Sequence, residues 1–415
     1  MPQGAARDLP ALCLSADDQP AVAHSRRLTK GGIMPDARPI SVTHVVRQFY
    51  PGIGGMEECV LQLARHQVAA GHRVRVATLD TIFDEREAQT LPAAETHDGI
   101  EIRRVPWRGS KRYPLAPKVL GALGSPDLVH VHGVDFLSDY LALTRPIHGR
   151  PLVLSTHGGF FHTQFAGRAK LLYFKSITRT LLTRYTAVAA SSQSDLDRFS
   201  QIRQRGLELI ENGVTVDKFR GLANRDARTI LYFGRLAPNK GLEALVAWFA
   251  ALLNADPDWR LILAGRPMGV PLDALRTQAA ALGIADRVEV IDTPSDARIA
   301  ELIGQSSVYA SASTYEGFGL AAIEGASAHL YPLLNDIPPF RRTVEGLGFG
   351  RIVDFTDAAT ARDFAQDWPQ VTMPDAATID ATVTGRFGWQ GHVDAFEALY
   401  RRVLAGQDGK DRPTR

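Results

Sequence analysis

Two carboxylates stand eight residues apart in the segment Thr314-Tyr315-Glu316-Gly317-Phe318-Gly319-Leu320-Ala321-Ala322-Ile323-Glu324. Gly317 and Gly319 let the backbone approach a ligand closely. If a helix starts there, its first free N–H groups, from Phe318 to Ala321, form an anion site reinforced by the helix dipole. On one continuous helix the two glutamates lie about 80° apart. With Glu316 in the loop before the helix, they serve different parts of one ligand. The bland alternative is a helix entry with two solvated glutamates. A second segment, Gly234-Arg235-Leu236-Ala237-Pro238-Asn239-Lys240-Gly241, offers a planar guanidinium fork and a flexible ammonium, the pair that suits a diphosphate. Either cation alone reads as an ordinary exposed charge.

Two further segments are weaker. Gly52-Ile53-Gly54-Gly55-Met56-Glu57 is glycine-rich, but Glu57 stands where a dinucleotide fingerprint needs its last glycine. Glu57 also suits the first turn of a helix, where the dipole favours it. Ser155-Thr156-His157-Gly158-Gly159-Phe160-Phe161-His162-Thr163 closes a β-rich run, so His157 can reach into a cleft at a strand end, with His162 beside it. Each is equally a hydrogen-bonded structural histidine. His130 and His132 alternate on one strand and share a face. Zinc would need further ligands, no matching Cys/His cluster occurs, and no metal is expected. Asp135 and Asp139 read as polar cleft or surface groups.

These residues need elements to hold them. Ile40–Val46 is β-rich, 47–55 is a loop, and an apolar stripe of Val60, Leu61, Leu63, Ala64 and Val68 predicts a helix over Met56–Ala70 ended by Gly71. Val74–Leu79 follows as a strand, which makes a β–loop–α–β unit of a parallel sheet. Strands are expected at Ile100–Val105, Leu128–His132, Leu152–Thr156, Ala187–Ala190 and Glu208–Ile210. The pattern restarts with a strand at Thr229–Phe233, the loop Gly234–Gly241 and a helix at Leu242–Leu253. Strands follow at Arg260–Ala264, Val288–Ile291, Val308–Ala310 and Leu330–Leu334, and an amphipathic helix at Trp389–Ala405. The expected class is α/β, with two Rossmann-like arrays in series. The division is a flexible extension over 1–38, a first domain over 39–213, a linker over 214–228, a second domain over 229–388, a helix over 389–405 packing back towards the first domain, and a tail over 406–415. Met34, just before the first strand, offers an alternative start.

Composition agrees with two ordinary cores. The chain has 415 residues, 45% of them hydrophobic and 22% charged, so disorder is not the default. A net charge of +2, from 47 basic and 45 acidic residues, gives no reason to expect a nucleic-acid partner. Cys13 and Cys59 make no disulfide framework and suit a reducing cytoplasm. No uncharged apolar run approaches the roughly 18–20 residues needed to span a bilayer.

The motifs together resemble those of the retaining glycosyltransferases of family 4. Glu316 and Glu324 match that family's E-x7-E pattern, Arg235 and Lys240 its G-R-x4-K-G loop, and Gly54-Gly55-Met56-Glu57 its G-G-x-E loop. The resemblance implies a GT-B fold, two facing Rossmann-like domains with a cleft between them. It also implies roles. Glu316 and His157 position the transferred sugar as the catalytic pair. Arg235, Lys240, Gly54 and Gly55 hold the donor diphosphate, with the backbone at Gly317, Phe318, Gly319 and Leu320. Glu324 binds the ribose, and His162 lines the acceptor side. Glu211-Asn212-Gly213-Val214 resembles the family's segment at the domain join. His329 departs from the pattern, standing where a glycine is usual. Within the family, segments such as His44–Phe49, Gly54–Glu58 and Asp336–Phe340 are similar to α-mannosyltransferases of exopolysaccharide assembly. That implies GDP-mannose as donor and a polyprenyl-diphosphate-linked oligosaccharide of cellobiosyl type as acceptor. The alternatives are another nucleotide sugar such as a UDP-sugar, a sugar-nucleotide epimerase of the same fold, and a sugar-nucleotide-binding protein without activity.

A lipid-linked acceptor would give two basic, apolar stretches a use. Residues 158–193 contain no acidic residue, and Arg168, Lys170, Lys175, Arg179 and Arg184 are interleaved there with Leu171, Leu172, Ile177 and Leu181. Arg103, Arg104, Arg108, Lys111, Arg112 and Lys118 form the second stretch, with Trp107 and Tyr113. Both fit a cytoplasmic protein peripherally held on the inner leaflet of the membrane. Both also fit helices or strands that merely face their own core.

Overall fold

The computed structural model describes residues 38–52, 54–83, 90–111, 113–158 and 171–408. The expected extension, His162, Arg112, Arg168 and Lys170 lie outside them.

The first half builds one sheet from β1 (Ser41–Val45), β2 (Arg73–Leu79), β3 (Ala94–His97) and β4 (Ile100–Val105), then a small hairpin of β5 (Arg108–Ser110) and β6 (Tyr113–Leu115) outside it. The sheet continues with β7 (Leu128–His132), β8 (Leu152–Ser155), β9 (Ala187–Ala190) and β10 (Leu207–Leu209). Its order is β10-β9-β8-β7-β1-β2-β4-β3. All neighbours are parallel except β3, which runs antiparallel to β4 at the edge. The second sheet holds β11 (Thr229–Phe233), β12 (Arg260–Gly265), β13 (Val288–Asp292), β14 (Val308–Ser311), β15 (Tyr331–Asn335) and β16 (Arg351–Val353). Its order is β13-β12-β11-β14-β15-β16, parallel throughout. Strands such as Leu128–His132 and Thr229–Phe233 are buried at every residue because helices cover both faces.

Strand order reverses beside β1 in one sheet and beside β11 in the other, between β1 and β7 and between β11 and β14. Such switch points open a crevice at the carboxyl ends of the strands. The loops after β1, β11 and β14 leave from those ends, and they are the loops with the glycine-rich and charged motifs.

The helix Trp389–Asp408 belongs to the first half. Phe396, Leu399, Tyr400 and Val403 are buried with Val42, Val60 and Ile210 in its core. The segment 214–228 is not a free linker. Val214 and Val216 are buried in one core of the second half and Phe219 in another, so the join is part of that domain's packing. The sequence pattern shows nothing between residues 335 and 388, where the structure has β16 and helices at Pro338–Leu347, Ala358–Asp367 and Ala376–Phe387. These pieces are short, and the last is rich in Ala and Thr, with little apolar periodicity. Pro338 at the start of its helix is itself a start signal.

Among the described residues, no helix is long and apolar enough to cross a membrane.

Candidate functional site

The loop after β11 and the loop after β14 are stitched together. The amide of Thr314 donates to the Asn239 carbonyl at 2.9 Å, and Asn239 Nδ2 donates to the Tyr315 carbonyl at 3.1 Å. Gly241 makes this approach possible. Its φ is +63°, and a Cβ there would sit 2.2 Å from the Ala312 carbonyl oxygen. The seam sets Lys240 against Glu316. Nζ meets Oε1 at 2.5 Å, with side chains 11% and 14% exposed. Ser313 Oγ donates to the same carboxylate oxygen at 2.8 Å. Arg235 is exposed, and its guanidinium makes no ion pair among the described residues.

Glu316 sits in the loop, and the helix Leu320–Ser327 starts after it. Gly319 is the N-cap at φ +85°, and no side chain caps the helix. The first amides of the helix are therefore presented to the crevice rather than satisfied by a capping oxygen. Gly317 has open space around it. Phe318 is half-buried, its ring edge-on to Phe387 at 6.3 Å. Glu324, one helical segment on, is a different kind of carboxylate. Burial pushes its pKa up to about 7, tempered by the positive charge of Lys218 and reinforced by Asp296 and Glu58. Among the described residues, no hydrogen bond offsets that burial.

The glycine-rich loop after β1 reaches this same helix tip. A Cβ on Gly55 would lie 3.9 Å from Leu320 Cδ1. The Glu57 carboxylate folds back over Gly54, 2.2 Å from where a Cβ would stand. Burial raises the pKa of Glu57, which the Arg47 charge partly opposes. The two halves thus meet where Gly55 approaches Leu320 and the charge of Glu58 reaches Glu324.

His157 follows β8 at φ +48°, a left-handed conformation that non-glycine residues rarely adopt. The turn is held by Asp195, which accepts from Thr156 Oγ1 at 2.6 Å and from the Gly158 amide at 2.7 Å. His157 Nε2 lies 2.9 Å from His132 Nδ1. Burial lowers the pKa of His157 to about 3, with the nearby His392 acting in the same direction.

Three further residues take part. His44 stands in register with His130 across β1 and β7, so the pair of histidines on β7 is a trio. Gln67 carries the chain they form on towards Tyr400, and Asp195 holds the His157 turn. Strand pairing is the signal that finds His44, since residues in register on neighbouring strands share a face. Asp135 and Asp139 are not surface groups. Both are buried. Asp135 caps the helix Phe136–Leu143, while Asp139 accepts from the hydroxyls of Tyr113 and Tyr173. The second basic stretch is also broken up. Arg104 is buried on Glu95 and the Tyr50 carbonyl, and Arg103 pairs with Glu101. His329 keeps the left-handed turn of the glycine it replaces, at φ +69°, and its Nε2 lies 2.9 Å from Asp380 Oδ1.

Comparison with known proteins agrees with the two-sheet architecture. The family described as Glycosyltransferase Family 4 matches residues 53–218, and that described as Glycosyl transferases group 1 matches residues 214–367. The chain is 45% identical over 374 residues to the GDP-mannose:cellobiosyl-diphosphopolyprenol alpha-mannosyltransferase of Xanthomonas campestris, covering 88% of this chain and 97% of that one. It is 40% identical to the enzyme of the same name from Komagataeibacter xylinus, covering 88% and 94%. Among solved structures, Anabaena HepE in complex with UDP shares the fold, with a TM-score of 0.69 at 20% identity, over 88% of this chain and 100% of that one.

Proposed function

Because this chain is a family 4 glycosyltransferase with the GT-B fold, we propose that it transfers α-mannose from GDP-mannose to a polyprenyl-diphosphate-linked cellobiosyl acceptor in exopolysaccharide assembly. The observation that carries the site is the seam between two loops, where Lys240 and Glu316 meet beside an uncapped helix tip. A nucleotide sugar laid across it has its diphosphate at Lys240, Arg235 and the amides of Phe318 to Leu320. Its ribose reaches Glu324 and its sugar lies between Glu316 and His157.

The reaction follows from these positions. The bond between C1 of the sugar and the diphosphate oxygen breaks as cations and amides take up the charge developing on the leaving group. C1 becomes oxocarbenium-like, the acceptor hydroxyl attacks from the face the diphosphate is leaving, and its proton passes to a departing phosphate oxygen. Configuration at C1 is retained. Lys240 releases part of its hold on Glu316 to meet the diphosphate, which leaves the glutamate free to orient sugar hydroxyls.

The acceptor is a membrane lipid, and one face of the first half suits it. Leu171, Leu172 and Ile177 are 45%, 70% and 47% exposed on the helical stretch 171–182, beside Lys175 and Arg179. Leu143 and Ile147 are 65% and 74% exposed nearby, where Arg145 donates to the Arg184 carbonyl at 2.7 Å. Apolar side chains ringed by cations favour an anionic bilayer surface. This supports peripheral attachment to the cytoplasmic leaflet.

The test is incubation with labelled GDP-mannose, other labelled nucleotide sugars, and cellobiosyl-diphosphopolyprenol in vesicles. Label is expected in the lipid fraction from GDP-mannose, with a loss of at least a hundredfold in Lys240→Ala and Glu316→Ala. Full transfer by both variants removes the site. Conversion of the donor to an isomer without any acceptor points to an epimerase instead, and label entering lipid only from a UDP-sugar overturns the donor.

A further inference from the structure

Beneath the cleft lies a closed set of hydrogen bonds that the transfer reaction leaves unexplained. His157 Nε2 meets His132 Nδ1 at 2.9 Å. His132 Nε2 meets His44 Nδ1 at 2.9 Å. His44 Nε2 meets Gln67 Oε1 at 2.7 Å. Gln67 Nε2 donates to Tyr400 Oη at 3.4 Å, Tyr400 Oη meets His130 Nδ1 at 2.6 Å, and His130 Nε2 meets Ser155 Oγ at 2.7 Å. His44, His130 and His132 are fully buried.

Proton counting gives the chain a direction. An amide oxygen only accepts, so His44 Nε2 carries the hydrogen. A neutral imidazole has one, so His44 Nδ1 accepts, and His132 Nε2 must donate to it. His132 Nδ1 then accepts from His157 Nε2. The other branch runs the same way: the Gln67 NH₂ donates to Tyr400, Tyr400 donates to His130 Nδ1, and His130 Nε2 donates to Ser155. All six ring nitrogens of His44, His130 and His132 are used once. A cation among them would have to displace these bonds, although one ligand atom from each ring lies within 4.8 Å of the others. The remaining nitrogen, His157 Nδ1, has no partner among the described residues.

We propose that His132, His44 and Gln67 are positioning residues that fix His157 as the Nε2–H tautomer, so that Nδ1 is presented to the cleft as a hydrogen-bond acceptor for a hydroxyl of the donor sugar. The ring therefore reads the sugar by accepting a hydrogen bond and lends it no positive charge. Only the identity of the hydroxyl-bearing ligand rests on the transferase reading; the tautomer does not. Burial is consistent with this, holding the pKa of His44 near 4 and that of His132 well below its ordinary value. The other titratable groups facing His157 are His392 on the last helix, whose Nδ1 is bonded to the Glu211 carbonyl at 2.7 Å, and Asp195, whose carboxylate is already engaged.

The first arm needs no substrate. Nitrogen NMR of the full chain labelled at histidine, with His157→Gln to assign its signals, reads the tautomer directly. A protonated Nε2 and bare Nδ1 on His157, unchanged between pH 8 and pH 5, are expected. A hydrogen on Nδ1, an imidazolium in that range, or zinc bound stoichiometrically with loss of the His44 and His132 signals would each overturn the proposal. The second arm reads the consequence. Gln67→Leu removes the acceptor that sets the direction, whereas Gln67→Glu keeps an oxygen facing His44. A drop of about tenfold in kcat/KM is expected for the leucine variant, with GDP affinity unchanged and activity recovered in the glutamate variant. Equal loss in both, tracking Tm, would show a purely structural role. If the wild-type chain transfers no mannose, the functional reading fails while the NMR result stands on its own.

Discussion

Glu324→Gln separates what the fold wants from what the donor wants. Burial raises the Glu324 carboxyl from 4.5 to about 7. Below 4.5 the group is protonated in both folded and unfolded chains and contributes no difference. Above about 7 it is ionised in both, and the folded state carries the full penalty. Stability from this group therefore falls as pH rises between those values, because the folded chain binds the proton more tightly. At 1.36 kcal/mol per unit the penalty at pH 8 is about 3 kcal/mol. A neutral amide of the same shape removes it, so Glu324→Gln should be more stable than wild type at pH 8 by about 2–3 kcal/mol, and by only about 0.8 kcal/mol at pH 5. Ribose binding has the opposite demand, since only the carboxylate accepts from both hydroxyls. The ionised fraction rises from about a tenth to about nine-tenths between pH 6 and pH 8, so wild-type affinity for GDP should rise about tenfold over that range. The variant should bind more weakly and show no such rise. Urea denaturation at pH 5 and 8 and calorimetric titration with GDP measure both. A variant no more stable at pH 8 than wild type, or a wild-type affinity flat with pH, would refute the assignment of this carboxylate.

Three other outcomes are expected. Lys240→Ala should lower kcat/KM by about a hundredfold and, by leaving the Glu316 carboxylate buried without its cation, lower stability by about 3 kcal/mol, read by lipid-linked transfer well below the variant's Tm and by thermal unfolding. Gly241→Ala should destabilise by about 1–3 kcal/mol, because its Cβ meets the Ala312 carbonyl, and should also slow transfer by displacing Lys240; unfolding and activity are measured side by side. The double variant Ile147→Glu with Leu172→Glu should lose co-sedimentation with anionic vesicles by at least tenfold while keeping turnover on a water-soluble acceptor analogue.

Much of the fold is legible because parallel strands covered on both faces read as short apolar runs. Leu128–His132, Ala187–Ala190 and Thr229–Phe233 fall where the runs place them. Strand ends elsewhere differ by a residue or two, as at Leu207–Leu209, where fraying and hydrogen bonding to the next strand decide. The edge pieces were hidden for a different reason. Ala94–His97 alternates between half-buried and exposed, and Arg351–Val353 has three residues. Neither has enough apolar repeat to stand out, and each exists because a neighbouring strand offers it an edge.

The site divides along the same physical line. The helix tip at Leu320 and the cationic loop ending at Gly241 are local structures, set by glycines and by residues close in sequence, so their spacing announces them. The histidine chain behind His157 is not local. His44 is separated from His130 by two helices and five strands, and only the β1–β7 register sets their rings 5.3 Å apart. Gln67 projects from the first helix, and Tyr400 arrives from the last one, 333 residues later. A buried histidine whose two nitrogens both find partners looks, residue by residue, like core. Its direction of proton donation emerges only when its partners are followed to the Gln67 amide oxygen, which only accepts, and the C-terminal helix, returning to the first domain, meets the other end of that amide at Tyr400. The same return ties the join to the cleft: Trp389 donates to Thr215 at 3.0 Å and His392 contacts the Glu211 carbonyl at 2.7 Å. A change in the angle between the domains would therefore pull first on residues one step from His157.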